Sequence, residues 1–503
     1  MEFALSAITG DLCSRFITYL VNKCTDRWSS EEKLQRLRLL LVRLHIVVEE
    51  AEGRYITNAQ MLLQLRTITQ AMYRGYSALE EFRSSQQIQA QRQVNRAHLG
   101  MQRSGDFSQL SQSKIRRQVS ISNPWPLIAP AKQFRKTAST VNRLLEDLET
   151  AIADMKEFVI FLGGCERMCR RPNDTYLYVD NFMFGRVVEK QKIINILLQD
   201  NPAADGAPLA VLPVIGGCRV GKKTLVWCAC NDDKIRSYYP SILYLKGDKI
   251  RSVDKGIFSC ARTLVVIEFV SDVSDEDWED FYSLMAKWMG NGSKIILISR
   301  FERISRFATA TPIYLGSLSP DEYNYLFKVL AFGSADPTDH PRLATIGYKL
   351  GTLLGGLLLS ANILGYMLRK DLDVQFWLHI LRRYTEAVDN NLTEFGAHPR
   401  ALHEEERPAD ITKFSSSQSA SSYSLRMMPP RSGTGDICTR ELSNVTFGDL
   451  VAGSYTVLPQ GEYQIMVWES RIPPFTKFVA TCVEEKVHCV GLTGKKRPRE
   501  IDL

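Results

Sequence analysis

Residues 209–225 read LAVLPVIGGCRVGKKTL, and this stretch contains the order of elements that decides the fold. Its first seven residues are apolar and rich in β-branched side chains, which is typical of a buried strand. Two glycines follow, and a helical apolar pattern begins after the two lysines. A strand, a glycine loop and a helix in this order predict a loop that holds a phosphate chain.

The loop would bind phosphate mainly through its backbone. Gly216, Gly221 and Lys222 fit the spacing GxxxxGK, in which backbone amides curl around the phosphates and the lysine reaches the terminal ones. The nucleotide-binding residues expected in this segment are Gly216, Gly217, Val220, Gly221, Lys222, Lys223, Thr224 and Leu225. The alternative is a hydrophobic strand that merely ends in a glycine-rich turn.

Two features predict that magnesium binds weakly or not at all. The hydroxyl that holds the ion should follow Lys222, but Lys223 stands there. Thr224 comes one place later, which turns its side chain by about 100° on a helix. The facing strand offers Glu268 followed by Phe269, where two acids are common. Thr224 and Glu268 are therefore the candidate metal ligands, and no catalytic residue is assigned.

Further apolar runs follow the loop segment in the sequence. They occupy residues 242–245, 264–270, 295–299 and 313–315, with helical patterns between several of them. This alternation predicts a mainly parallel sheet covered by helices over residues 173–318, followed by a helical extension over residues 319–383. Residues 350–368 carry no charge, so a membrane span is the alternative to a buried helix there.

Residues 1–163 are expected to form an antiparallel four-helix bundle. Amphipathic stripes repeat at helical spacing at residues 3–20, 34–48, 62–79 and 141–159, and each must bury its apolar face. The same spacing would suit an intermolecular coiled coil, which stays open as an alternative. Residues 84–136 carry nine basic residues against one acid and have little periodicity, so we expect a mobile insert there.

The C-terminal part of the chain has three expected segments. A serine-rich stretch at residues 415–424 marks residues 384–436 as a flexible linker. Residues 445–490 alternate apolar and polar side chains, which predicts a small β-rich segment over residues 437–490. Residues 491–503 form a basic tail, in which the candidate nuclear-import residues are Lys495, Lys496, Arg497 and Arg499. The alternative is a solvated tail that no import receptor binds.

The composition excludes several classes of protein. The 63 basic and 56 acidic residues give a net charge of +7, and 45% hydrophobic with 24% charged residues is typical of a globular chain of several domains. Because the insert at 84–136 carries an excess of +8, the charge does not indicate a specific nucleic-acid-binding face. The 11 scattered cysteines indicate a reducing compartment, so we expect a cytoplasmic protein, with nuclear presence as a second expectation.

Several blocks of residues stand in the order found in a known family. They are Phe184-Gly185-Arg186, the loop at 216–225, the acidic strand with Glu268, the strand that ends at Arg300, and the helix start at Leu358. Together they resemble the NB-ARC domain of plant disease-resistance proteins with an N-terminal coiled-coil bundle, particularly shortened versions found in grasses. The resemblance covers about residues 1–385.

This resemblance implies roles for individual residues. Residues 184–186 would lie near an adenine, and Arg300 would sense the terminal phosphate of the nucleotide. Leu358 stands where the family has a proline that touches adenine. After Trp377 there remain 126 residues, too few for the family's winged-helix domain and a leucine-rich sensor. We therefore expect a protein without its own leucine-rich repeats.

The function implied is that of an ADP- or ATP-binding signalling or interaction protein of plant innate immunity. Its hydrolysis residues are degenerate, so we expect at most a weak ATPase. The expected partners are other immune-receptor or signalling proteins bound through the N-terminal bundle, with self-association as a further expectation and no transmembrane segment. The alternatives are a scaffold or decoy that no longer binds nucleotide and a weakly active ATPase switch.

Overall fold

The computed structural model describes residues 30–101, 130–168, 184–199, 209–252, 261–415, 423–433, 442–455, 458–471 and 476–486. These residues form two compact units. The first unit contains the N-terminal helices together with residues 184–199 and 318–326. The second contains the described residues of 200–317 and 327–503.

Three long helices build the first unit: α1 (Ser30–Glu52), α2 (Ala59–Met101) and α3 (Pro130–Gly163). The apolar stripes at 34–48, 62–79 and 141–159 each lie on one of them, and their leucines form a common buried core. Gly75 allows α1 and α2 to approach closely, because a Cβ there would lie 2.4 Å from Leu41 Cδ2. The stripe at 3–20, expected as a further helix, lies outside the described residues.

The expectation of a mobile insert at 84–136 is wrong at both of its ends. Helix α2 continues through Met101, and α3 already begins at Pro130. Residues 84–101 are rich in Gln, Arg and Ala, which favour helix even where no apolar stripe continues. Residues 102–129 of the insert lie outside the part of the chain that the structure describes.

A short helix, α4 (Val187–Leu198), is fastened to the turn between α1 and α2. The Gln191 side chain donates to Arg54 O at 2.9 Å, and the Asn195 side chain donates to Ile56 O at 2.9 Å. Phe184, just before α4, packs its ring against Tyr73 at a centroid distance of 5.1 Å. The segment at 184–199 is therefore an integral part of the first unit.

A five-stranded parallel sheet forms the centre of the second unit. Its strands are β1 (Ala210–Gly216), β2 (Ser241–Lys246), β3 (Thr263–Phe269), β4 (Lys294–Ser299) and β5 (Ile313–Leu315), in the order β2-β3-β4-β1-β5. Strands β1, β3 and β4 are buried along nearly their whole length, as expected for strands covered by helices on both faces. The predicted parallel sheet is confirmed.

The helices that follow the strands are α5 (Lys222–Cys230) and α6 (Asp233–Tyr238) after β1, and α7 (Asp275–Trp288) after β3. Four more helices come after β5: α8 (Pro320–Phe332), α9 (Pro341–Leu353), α10 (Leu358–Lys370) and α11 (Val374–Phe395). Trp377 is fully buried among them, and its indole N–H donates to Asp371 O at 2.9 Å.

The uncharged stretch at 350–368 is divided between α9 and α10. Gly355 and Gly356 lie in the turn between these helices with φ of 64° and 91°, a left-handed conformation that ends α9. The alternative of a membrane span is therefore wrong, and no helix within the described ranges is long and apolar enough to cross a bilayer.

The expectation of a flexible linker at 384–436 is wrong for the residues that are described. Helix α11 runs on to Phe395, and α12 (Pro399–Glu404) follows it. An antiparallel sheet then takes three strands from this range and two from later residues: β6 (Ala409–Asp410), β7 (Tyr423–Met427), β8 (Arg431–Gly433), β9 (Glu462–Glu469) and β10 (Lys477–Lys486). A short helix, α13 (Phe447–Ala452), lies between β8 and β9.

The sheet is joined to α11 by an amide clamp. Buried Asn391 donates from its side chain to Asp410 O at 2.7 Å and accepts from Asp410 N at 2.9 Å. A buried side-chain amide that satisfies a strand's backbone in this way fixes the register of the strand against the helix. The residues after α11 therefore pack as part of the second unit.

Candidate functional site

The loop between β1 and α5 has the backbone shape of a phosphate loop. Gly216 ends β1 beside Leu315 of β5, and a Cβ there would lie 2.3 Å from Leu315 O. Gly221 has φ 94° and directly precedes α5, whose first backbone N–H groups therefore point towards the loop. Glycine is required at both positions, at the first by contact and at the second by conformation.

Lys222 lies at the mouth of this loop. Its Nζ donates to Gly216 O at 2.7 Å and to Gly217 O at 2.6 Å. Burial lowers the pKa of Lys222, and the positive charges of Lys223 and Arg300 act in the same direction. The ammonium is thus held where the positive end of α5 and the loop amides also converge.

The candidate metal ligand Glu268 is already paired. Lys223 Nζ lies 2.7 Å from Glu268 Oε1, and both side chains are partly buried, with exposures of 28% and 29%. Thr224 is half-buried on the first turn of α5. Phe269, next to Glu268, is buried and packs edge-on against Trp278 at a centroid distance of 6.5 Å. The structure therefore brings together Lys223 and Glu268, while Phe269 belongs to the core.

Arg300 follows the last residue of β4 and also lies beside the loop. Its Nη1 donates to Cys218 Sγ at 3.7 Å, and the same guanidinium forms an ion pair with Glu406. The hydrogen bond from Arg300 holds the pKa of the Glu406 carboxyl below its usual range. The strand edge thus places Arg300 near the phosphate loop, but in contact with a carboxylate from the residues after α12.

The start of α10 approaches the loop from another direction. Leu358 Cδ1 lies 4.0 Å from the point where Gly221 would carry a Cβ, which is van der Waals contact. The turn before it is held by α12: His398 Nε2 lies 3.0 Å from Leu353 O, and Arg400 donates to Gly355 O. Leu358 therefore lies close to the loop, and its proposed contact with adenine stays a prediction.

Phe184, Gly185 and Arg186 belong to the first unit. Gly185 has φ 69°, and its Cβ position would lie 3.2 Å from Leu318 Cδ2. Arg186 is buried, which lowers its pKa, while the charge of Glu189 raises it. These three residues are thus held by contacts within the helical unit.

A further cluster lies beside the loop on the side of the antiparallel sheet. Arg219 donates to Pro430 O at 2.7 Å and lines an apolar cavity of about 40 Å³, together with His403 and Asp410. Nε2 of His403 is enclosed and has no hydrogen-bond partner among the described residues. Burial, together with the positive charges of Arg219 and His398, lowers the pKa of His403 to about 4.

Sequence reasoning did not identify Arg219, His403, Glu406 or Pro430 as part of this site. Arg219 lies at a variable position inside the pattern GxxxxGK, and the other three fall in residues 384–436, for which the sequence predicts a linker. The only available signal was the continued helical spacing of apolar residues beyond Trp377, which indicates that a packed structure extends past residue 383. Lys495, Lys496, Arg497 and Arg499 lie outside the described residues.

A parallel sheet with a glycine loop and a lysine at the start of the next helix fits the P-loop NTPase fold. Within the described residues, no three His, Cys, Asp or Glu side chains gather closely enough to hold a metal ion. A scan against protein-family models finds no match for the chain.

Curated relatives identify the group of proteins to which the chain is related. Disease resistance protein RGA2 from Solanum bulbocastanum is 20% identical over 398 residues, which cover 73% of this chain and 38% of RGA2. RGA1 from the same plant, also named as a disease resistance protein, is 22% identical over 378 residues, covering 70% of this chain and 35% of RGA1. Disease resistance RPP13-like protein 1 from Arabidopsis thaliana is 22% identical over 383 residues, covering 70% of this chain and 34% of that protein.

The chain is a homologue of plant disease-resistance proteins, which confirms the resemblance predicted from its motifs. It spans about a third of the length of these curated relatives. The expected lack of leucine-rich repeats stays a prediction.

Proposed function

We propose that the chain binds ADP or ATP at the loop between β1 and α5 and turns the nucleotide over slowly or not at all. The observation that carries the proposal is the position of Lys222, whose Nζ lies 2.7 Å from Gly216 O and 2.6 Å from Gly217 O. An ammonium, a helix N-terminus and glycine amides converge there, and this combination favours a phosphate chain.

Slow turnover is supported by the pairing of Lys223 with Glu268. Magnesium would have to displace an ammonium that lies 2.7 Å from the carboxylate. Phe269 is buried and offers no second carboxylate. Because phosphoryl transfer depends on a positioned metal ion and nucleophile, we expect magnesium to contribute little and hydrolysis to be weak.

Adenine is proposed as the base because of the resemblance, in which residues 184–186 and Leu358 are the adenine contacts. The contact of Leu358 with the position of Gly221 supports its part of this assignment. The first of the two alternatives is a scaffold or decoy without nucleotide. The second is a weakly active ATPase switch.

We further propose that the chain acts in plant innate immunity as a signalling or interaction protein. The names of its relatives support this role. A fourth bundle helix from residues 3–20, partners that bind through the bundle and self-association are parts of this proposal. So are a small β-rich C-terminal segment, a cytoplasmic location and nuclear import through residues 495–499.

Nucleotide binding is tested on the purified full chain. Bound nucleotide is released and quantified, and affinities for ADP and ATP are then measured by titration. Lys222→Ala removes the ammonium at the loop and should weaken binding by at least about tenfold, since charge-assisted bonds to phosphate are strong. The matched control is Lys287→Ala, which removes an exposed lysine on α7 and should leave binding unchanged.

Two results would refute the proposal. No measurable affinity for ADP or ATP would refute binding and favour the scaffold. Sustained phosphate release over many turnovers, abolished by Lys222→Ala, would refute slow turnover and favour the ATPase switch.

A further inference from the structure

The turn after α12 reaches the arginine at the end of β4. Arg300 forms an ion pair with Glu406, and its Nη1 also lies 3.7 Å from Cys218 Sγ in the phosphate loop. Arg300 is close enough to Lys222 that its charge, after burial, is among the causes that lower the pKa of this lysine. A lysine at this place in a phosphate loop reaches the outer phosphates. Arg300 therefore lies on the side of the loop where the last phosphate of a bound nucleotide would stand.

Glu406 has a left-handed backbone conformation, which is uncommon for a residue other than glycine. Within the described part of the chain, the non-glycine residues with positive φ are Arg219, at 58°, and Glu406, at 57°. Such conformations persist only where the surrounding contacts determine them. Arg219 donates to Pro430 O at 2.7 Å, so both residues belong to the contact between the loop and the residues after α12.

A carboxylate and a phosphate compete for a guanidinium because each accepts charge-assisted hydrogen bonds from it. Glu406 is ionised at neutral pH, since Arg300 holds the pKa of its carboxyl below the usual range. The Glu406 carboxylate thus occupies the place at Arg300 that the terminal phosphate of a triphosphate would take. A diphosphate ends one phosphate earlier and does not need Arg300.

We propose that Glu406 shifts the preference of the loop between nucleotides: by holding Arg300, it favours a nucleoside diphosphate over a triphosphate. The inference rests on the proposed nucleotide binding. Both partners are substantially exposed, Arg300 by 37% and Glu406 by 55%, so the pair is weak and a phosphate can displace the carboxylate. The effect on specificity is therefore modest, about two- to fivefold, which is the range that exposed ion pairs give.

The experiment compares affinities for ADP and ATP in the full chain and in two variants. Glu406→Gln keeps the size of the side chain and removes its charge, so the affinity for ATP relative to ADP should rise about two- to fivefold. Glu405→Gln is the matched control, because Glu405 is the neighbouring residue and pairs with Arg407 at 2.9 Å instead. It should leave the ratio unchanged.

A second comparison keeps the test decisive. In an Arg300→Gln background, Glu406→Gln should no longer change the ratio, because the group for which carboxylate and phosphate compete is gone. The effect in the wild-type background should also shrink as ionic strength rises, since the exposed charges are screened.

The outcomes separate the inference from the function on which it rests. If ADP binds but Glu406→Gln leaves the ratio at the wild-type value, the inference is overturned and nucleotide binding stands. A rise of the same size in Glu405→Gln, or one that persists without Arg300, also overturns it. If neither nucleotide binds to any of these proteins, the proposed function itself is wrong and the inference falls with it.

Discussion

Different parts of the chain contact the two sides of the loop between β1 and α5. On the strand side, defined by Lys222, Lys223 and Glu268, the lysines contact the loop's own carbonyl groups and the end of the nearby strand β3. On the tail side, Arg219 and Arg300 contact residues that are 211 and 106 positions further along the chain. That side is defined by these two arginines together with His403, Glu406 and Pro430.

This difference separates what the α/β fold supplies from what the C-terminal residues add. The strand side needs only a parallel sheet and the helix after its first strand. The tail side exists because α11, α12 and the antiparallel sheet pack in the same unit as the loop. Changes on the strand side should therefore affect folding and phosphate binding, and changes on the tail side should affect pH response and specificity.

The largest effect is expected from Gly216→Ala on the strand side. The new Cβ would meet Leu315 O at 2.3 Å, and a backbone oxygen of a paired strand cannot move away easily. We expect a loss of about 3 kcal/mol in the free energy of unfolding, at the upper end for overpacked sites. Chemical unfolding of the full chain measures it.

The matched control for this change is Gly217→Ala. Its Cβ would have Val220 Cγ1 as the nearest atom, at 3.7 Å, which is ordinary contact. This variant should unfold within about 0.5 kcal/mol of the wild type. Equal stability losses in the two variants would show that the contact with β5 is not what requires glycine at position 216.

A smaller effect, on the tail side, is the response of stability to acid. The pKa of His403 is lowered from 6.5 to about 4 in the folded chain, chiefly by burial. Between pH 6.5 and 4, His403 is therefore protonated in the unfolded chain but neutral in the folded chain. The free energy of unfolding consequently falls as the pH drops from 6.5 towards 4. Between pH 7 and 5 we expect His403 to account for a loss of about 1–2 kcal/mol.

The His403→Gln variant should lose this part of the pH dependence. Burial also lowers the pKa values of His379 and His398, so the wild-type slope contains their contributions and only the difference between proteins isolates His403. His340→Gln, which changes a histidine at the start of α9, serves as the control. The assignment to His403 is wrong if His403→Gln and wild type keep parallel stability curves between pH 7 and 5.

The smallest effect is expected on the strand side, in the magnesium dependence of ATP binding. Lys223→Thr removes the ammonium from Glu268 and supplies a hydroxyl directly after Lys222, the place where such loops hold magnesium. Magnesium should then raise the affinity for ATP by about two- to fivefold more than it does in the wild type, equivalent to at most about 1 kcal/mol.

Titration of ATP with magnesium and with a chelator measures this change, and Lys287→Thr on α7 is the control. Turnover need not return, because Phe269 stays in the core beside Glu268. If magnesium has the same effect in Lys223→Thr as in the wild type, the ion pair with Glu268 is not what limits metal binding.

Much of the strand side could be predicted from the sequence. The three inner strands β1, β3 and β4 are continuous apolar runs, because strands covered on both faces must be apolar throughout. The edge strands β2 and β5 are shorter apolar runs that include exposed residues. The loop residues are recognisable because only glycine allows the contact at position 216 and the positive φ at position 221. Local chemistry therefore determines this half of the site.

Two boundaries could not be placed in the same way. Helix α2 runs past its apolar stripe to Met101, because helix propensity alone carries it further. Residues after 383 were expected to be a linker because of a serine-rich stretch, but α11 continues with Tyr384, Val388 and Asn391 on its buried face. The serine-rich stretch occupies only residues 415–424 of that range, whereas the helical spacing of apolar residues continues through α11 to Phe395.

The sequence by itself determined the class of fold, the glycine loop between β1 and α5 and the relation to plant disease-resistance proteins, since these depend on spacings of a few residues. Only the tertiary structure decided that Lys223 pairs with Glu268 and Arg300 with Glu406. The physical reason is that an ion pair needs two side chains within about 4 Å, and partners up to 106 residues apart are brought to that distance by packing. Charge and residue type show which partners are suitable, and the fold selects among them.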